Sequence, residues 1–148
     1  MLYNEVTEIF EKTILPVVTL KYGLGGYQLQ PLQAHEGGRN VIYICEKENA
    51  PAYVLRISYQ NDRSREDYLA EMEYVRYLYD NGASVANVIS SKEDNLVEEL
   101  DYNGQPLFIC LFEKARGMQL AENNYRYRDG APLSEYFFNC GKTLGKIH

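Results

Sequence analysis

The chain has 148 residues, 45% of them apolar, and 15 basic against 21 acidic side chains give a net charge of −6. That length fits one domain with a real core, and the acidic balance counts against a general nucleic-acid surface, which would be basic. No apolar run approaches the ~20 residues of a membrane span, and the charged start MLYNEVTEIFEK has no signal-peptide core, so the expected setting is cytoplasmic with no membrane partner.

In chain order, residues 2 to 12 read as a short amphipathic helix with Leu2, Val6, Ile9 and Phe10 on one face. Pro16 interrupts it, VVTLKYGL adds another turn, and Gly23, Gly25 and Gly26 break the pattern. Residues 27 to 33 alternate as a first strand, with Pro31 suited to a sheet edge. The turn AHEGGRN leads to a second strand, VIYICEKE, and Asn49 and Ala50 turn the chain into a third, PAYVLRIS. Ser64 caps a helix that runs to about Asn81, with Gly82 as its stop.

VANVIS then reads as a short strand or an extended lead-in. LVEELDY and QPLFICLFEK form a hairpin about Asn103-Gly104. AENNYRYRDGA is a polar linker, and Ser134 is expected to cap a last helix over residues 135 to 148. The expected fold is α+β: a five-stranded, mainly antiparallel sheet with the helix of residues 65 to 81 on one face, plus N-terminal and C-terminal helices. Two segments follow from this, residues 1–120 and residues 121–148.

The stretch GGRNVIYICEKENAPAYVLRIS carries the chemistry. Side chains alternate along a strand, so Val54, Arg56 and Ser58 share one face and Tyr53, Leu55 and Ile57 the other. A cation in so apolar a run needs a partner or a ligand. On the following helix Tyr68, Met72, Val75 and Tyr79 form an apolar stripe, with Glu71 beside it and Glu73 and Arg76 further round. Glu71 is thus the expected partner of Arg56. A glycine turn, a hairpin, a strand cation and a helix glutamate, in that order, fit a clamp for nucleotide phosphates. Cys45, Cys110 and Cys140 lack metal-like spacing, and Cys45 and Cys110 read as small core residues. His35 abuts the glycine turn and reads as a loop residue, with a ligand role the lesser alternative.

With YGL at 22–24, GGRNVIY about Gly38, YVLRIS at 53–58, AEMEYVRYLYDNGASVANVI at 70–89, FEKARG at 112–117 and LGKIH at 144–148, the chain resembles the N-terminal lobe of the aminoglycoside phosphotransferase and choline kinase-like family. These small-molecule kinases share the protein-kinase fold. The resemblance implies that Glu36, Gly37, Gly38, Arg39 and Asn40 form the phosphate loop and that Arg56 and Glu71 are the clamp. It implies that Val54 covers the adenine, Phe112 backs its pocket, and the backbone at Glu113 and Ala115 is the hinge that bonds the base.

It further implies ATP, or GTP, with Mg2+ as cofactors, nucleotide and a small hydroxyl compound as partners, and γ-phosphoryl transfer as the reaction of a longer parent. The catalytic and metal-holding groups would lie in a C-terminal lobe outside this stretch, so the 148 residues alone should be inactive. One departure stands out: the family's strand cation is usually lysine, and here it is Arg56. That favours, as the alternative, a non-catalytic binding or regulatory module of the same fold; a third reading leaves Arg56 and Glu71 as a structural ion pair in an unrelated soluble domain. Phe137, Phe138, Leu144 and Ile147 lie on a last helix with no evident cover. It is expected to pack back, to pair with a second copy or to be exchanged between copies.

Overall fold

The computed structural model describes residues 3–32, 38–60, 62–117, 123–124, 126 and 130–147. The elements are α1 (Tyr3–Thr13), α2 (Leu15–Tyr22), β1 (Gln28–Pro31), β2 (Asn40–Glu46), β3 (Tyr53–Ser58), α3 (Arg65–Asp80), β4 (Val88–Ile89), β5 (Glu98–Tyr102), β6 (Gln105–Glu113) and α4 (Leu133–Ile147).

The expected antiparallel sheet is present, with six strands among the described residues rather than five. The sixth is β4, whose two residues pair with Leu111 and Phe112 of β6. The strand order is β1-β2-β3-β6-β4, with β5 also on β6, so β4 and β5 share one edge of β6 end to end. Pro31 lies on the edge strand, where a missing N–H is tolerated. Asn103 and Gly104 both have positive φ, 54° and 78°, as a two-residue hairpin of this twist requires.

Alternation along the strands feeds two cores. Leu107, Ile109 and Leu111 of β6 join Leu55, Ile57, Val41, Tyr43 and Cys45 in one buried cluster. Phe108 and Cys110 join Tyr68, Met72, Val88 and Val97 in the other. A strand buried on both faces reads as a continuous apolar run, which is why QPLFICLFEK shows no polar alternation.

The N-terminal helices cover the first face through Val6, Phe10, Ile14 and Val18. Pro16 sits in the first turn of α2, where no amide hydrogen is needed, so it starts a new helix after α1 ends. Leu2 of the expected stripe lies outside the described residues. The second face carries α3, whose start is fixed by a capping box: the Ser64 side chain accepts from the Asp67 amide, and the Asp67 carboxylate accepts from the Ser64 amide.

Three expectations are corrected. Tyr79, placed on the buried stripe of α3, is 41% exposed: burial on this helix is confined to its first half, at Tyr68 and Met72. Arg76, assigned further round the helix, instead donates to the Val88 carbonyl at 2.7 Å. α4 starts at Leu133 rather than after Ser134, with the Glu135 amide donating to the Pro132 carbonyl. None of the α4 residues is buried, and Phe137, Phe138 and Leu144 are exposed. These side chains do not pack back onto the sheet.

Candidate functional site

The register of the sheet builds a platform on the α3 face. Ile44 lies opposite Val54, Val54 opposite Phe112, and Phe112 opposite Val88, giving one apolar row across four strands. The next row is Ile42, Arg56 and Cys110. Ile44, Val54 and Phe112 are only half-buried, so the row offers an apolar surface beside the cation.

Arg56 and Glu71 meet as expected: Arg56 Nη1 donates to Glu71 Oε1 at 2.7 Å. The guanidinium lies between two rings, 5.6 Å from the Tyr68 centroid and 5.4 Å from that of Phe112, within cation–π range. Its Nη2 donates to Cys110 Sγ at 3.7 Å. Its Nε is buried and unpartnered. A guanidinium has five N–H groups in a fixed fork, so hydrogen-bonding capacity remains for a further acceptor. Burial works against the charge on Arg56, but the contacts with Glu71 and Cys110 outweigh it and raise its pKa above the ordinary value.

Arg63 was missed by the sequence reasoning, which left it in a polar connection. Its Nη1 donates to Glu71 Oε2 at 2.8 Å and its Nη2 to the Asp67 carbonyl at 3.1 Å. It stacks on Tyr68 at 4.4 Å. The Glu71 carboxylate is therefore bridged, one oxygen to each arginine. Burial pushes its carboxyl up, the bonds from Arg56 and Arg63 pull it down further, and the net result lies below the usual range. The one available signal in the sequence was position: Arg63 precedes the cap Ser64 and lies two helical turns before Glu71.

Of the expected phosphate-loop residues, Glu36 and Gly37 lie outside the described residues, as does the neighbouring His35. The Gly38 carbonyl accepts from the Tyr59 hydroxyl at 2.6 Å. Arg39 forms an ion pair with Asp62. Asn40 opens β2, and its Oδ1 accepts from Ser58 Oγ at 2.6 Å. At the expected hinge, the Glu113 amide donates to the Asn87 carbonyl and the Lys114 amide to that of Ala52. Successive amides thus point to opposite edges of β6, and the strand ends at Glu113 with Ala115 exposed just beyond it. Gly38 also borders a cavity of about 550 Å³ on the opposite sheet face, lined by Phe10, Tyr59 and Tyr102 among others. The clamp residues do not line it.

No protein-family profile matches the chain. The chain is 30% identical to an amicoumacin kinase of Bacillus subtilis (strain 168) over 148 residues, which is 99% of this chain and 41% of that protein. Among solved structures, an amicoumacin kinase in complex with AMP-PNP, Ca2+ and Ami superposes with a TM-score of 0.64 at 28% identity, over 78% of this chain and 34% of that one. A microcompartment-associated aminopropanol kinase gives 0.62 at 20% identity, over 75% and 34%. A spectinomycin phosphotransferase in complex with ADP and spectinomycin gives 0.53 at 17% identity, over 70% and 29%. The last two bear on the fold alone. The chain spans less than half the length of each of these proteins. It is a homologue of a small-molecule kinase and has the kinase-like N-lobe fold.

Proposed function

We propose that this chain is the nucleotide-binding lobe of an ATP-dependent small-molecule phosphotransferase, which moves the γ-phosphoryl group to a substrate hydroxyl. The observation that carries this is the 2.7 Å contact of Arg56 with Glu71 on the same sheet face as Val54 and Phe112. In this reading Ile44, Val54 and Phe112 receive the adenine, the Glu113 carbonyl and the Ala115 amide bond its edge, and Arg56 grips phosphate oxygens. The phosphates are assigned to the turn before β2, whose described residues are Gly38, Arg39 and Asn40, through backbone N–H groups of the kind that bind anions. The Arg56 guanidinium and the apolar row beside it suit a ligand with a flat base and an anionic tail.

The nucleotide bound by the solved amicoumacin kinase, AMP-PNP with Ca2+, supports ATP with Mg2+; GTP is the other candidate. When bound, the divalent ion neutralises charge on the β- and γ-phosphates. Its ligands and the groups that orient the acceptor belong to sequence beyond residues 1–148, as the 41% coverage of the relative supports. Residues 1–120 act as the nucleotide half and residues 121–148 as the link to the second half. The setting is cytoplasmic, without nucleic-acid or membrane partners, and α4 is the surface for self-association of the isolated stretch.

The test is equilibrium binding of ATP with Mg2+ to the complete protein that carries this chain, with Arg56→Ala as the variant. Wild type should bind, and Arg56→Ala should lose at least about tenfold in affinity while remaining folded, the scale of a charge-assisted contact. Equal affinity and turnover in both would remove the phosphate role. A non-catalytic module is the second reading, favoured by Arg56 standing where the resemblance to the small-molecule kinase family leads one to expect lysine; nucleotide binding without ADP production over a panel of hydroxyl acceptors would support it.

A further inference from the structure

We infer that Arg63 is a positioning residue of the clamp: it holds Glu71 against Arg56 and so sets the Arg56 guanidinium for an anionic ligand. The inference rests on the nucleotide-lobe reading and adds a residue to it.

Arg56 is confined between Tyr68 and Phe112 and tied to Cys110, so its guanidinium cannot swing far to find a carboxylate. Glu71 must be brought to it. Glu71 sits on α3 beside the buried stripe and is itself half-buried, with rotamers that lead to solvent. Arg63 removes that freedom by binding the second carboxylate oxygen at 2.8 Å.

Arg63 is fixed in turn. It stacks on the buried Tyr68, it donates to the Asp67 carbonyl, and the capping box next to it fixes the path of the chain into α3. Its neighbour Asp62 pairs with Arg39, so two consecutive residues reach the glycine turn on one side and the clamp on the other. Two arginines bind the one Glu71 carboxylate, and the Asp67 carboxylate also lies within electrostatic reach of Arg63. The contribution of Arg63 is therefore position: with Glu71 held from its second oxygen, the Arg56 guanidinium stays fixed beside the apolar row.

The experiment uses the complete protein as wild type, Arg63→Gln and Arg63→Lys, with Kd for ATP and for adenosine and the melting temperature measured in each. Arg63→Gln should weaken ATP about tenfold, the scale of one lost charge-assisted hydrogen bond. Adenosine, which has no phosphate, should bind all three alike, and Arg63→Lys should recover part of the ATP affinity. Unchanged ATP affinity in Arg63→Gln overturns the inference. So does an equal loss for ATP and adenosine, which marks a structural role. Wild type that binds neither ligand brings down the nucleotide reading and this inference with it, an outcome distinct from the other two.

Discussion

Leu55 and Arg56 are neighbours on β3, and the sheet sends them to opposite sides. Leu55 enters a core closed by α1 and α2, where it has no exposed surface. Arg56 enters the face that α3 covers only in part, next to the half-buried Val54 and Phe112. The closed face gains free energy from every buried methyl group. The partly open face leaves some of that gain unused and keeps an apolar surface beside a cation. Under the proposed function, stability and ligand chemistry are divided between alternate residues of the same strand.

The sharpest way to break this division is a matched pair of truncations. Leu55→Ala should cost ~2–5 kcal/mol in urea denaturation, the range for emptying a closed aliphatic site. Val54→Ala, one residue away, should cost about 1 kcal/mol or less, because part of its surface is already in water. Nucleotide affinity should show the reverse order, with Val54→Ala the more damaging among folded molecules. If both substitutions destabilise equally, the two faces are one core and the division is wrong.

The division also explains which parts of the molecule could be read in the sequence. Strand alternation placed Val54 and Arg56 together, and helical periodicity singled out Glu71; both signals are local and survive into the fold. The α1–α2 face was harder, because nothing in MLYNEVTEIFEK says which side of a later sheet it will cover. Arg63 was hidden for a related reason: its value depends on a carboxylate eight residues on and on a ring, Tyr68, that looked like core alone. Glu98 is the clearest omission. Along LVEELDY it alternates with Leu100 and Tyr102, the inward set, while Glu99 and Asp101 form the outward one, so a buried acid was legible there. Its partner, Lys21, lies at the end of α2, and no periodicity links the two.

Glu98 gives a second, smaller test of the closed face. It is 4% exposed; Lys21 Nζ approaches Glu98 Oε2 at 2.8 Å, and Asn95 Nδ2 donates to Oε1 at 3.1 Å. Burial raises its pKa, but the hydrogen bonds from Lys21, Ser91 and Asn95 more than offset this, and the carboxyl ends below its reference value of 4.5. Glu71 is depressed in the same direction. A group whose folded pKa is lowered contributes its full stability above the unfolded value and loses it as pH falls through the folded value. Stability should therefore be level above about pH 4.5 and decline below it. Glu98→Gln should cost ~1–3 kcal/mol near neutral pH, the range for a hydrogen bond to a charged group, and make the acid decline shallower. An acid limb of unchanged slope in Glu98→Gln would mean that the Lys21 contact is not made in solution.

The smallest effect on stability is expected at α4, where neither face of the sheet provides cover. Phe137 is 63% exposed, Phe138 70% and Leu144 60%. Apolar side chains that remain in water contribute little to folding, so Phe138→Ser should change the unfolding free energy of the 148-residue chain by about 0.5 kcal/mol or less. Association is different. Three large apolar groups on one short helix form a patch of the kind that recruits a partner surface, and removing Phe137 and Phe138 together should lower any self-association of the isolated chain. Sedimentation velocity across a concentration series separates the two effects. The expected pattern is a concentration-dependent sedimentation coefficient for wild type, a weaker dependence for the double serine variant, and the same unfolding midpoint for both at low concentration. A clearly lower midpoint in the double variant would mean that α4 is packed on its own sheet in solution. The helix would then belong with the closed face rather than standing apart from both.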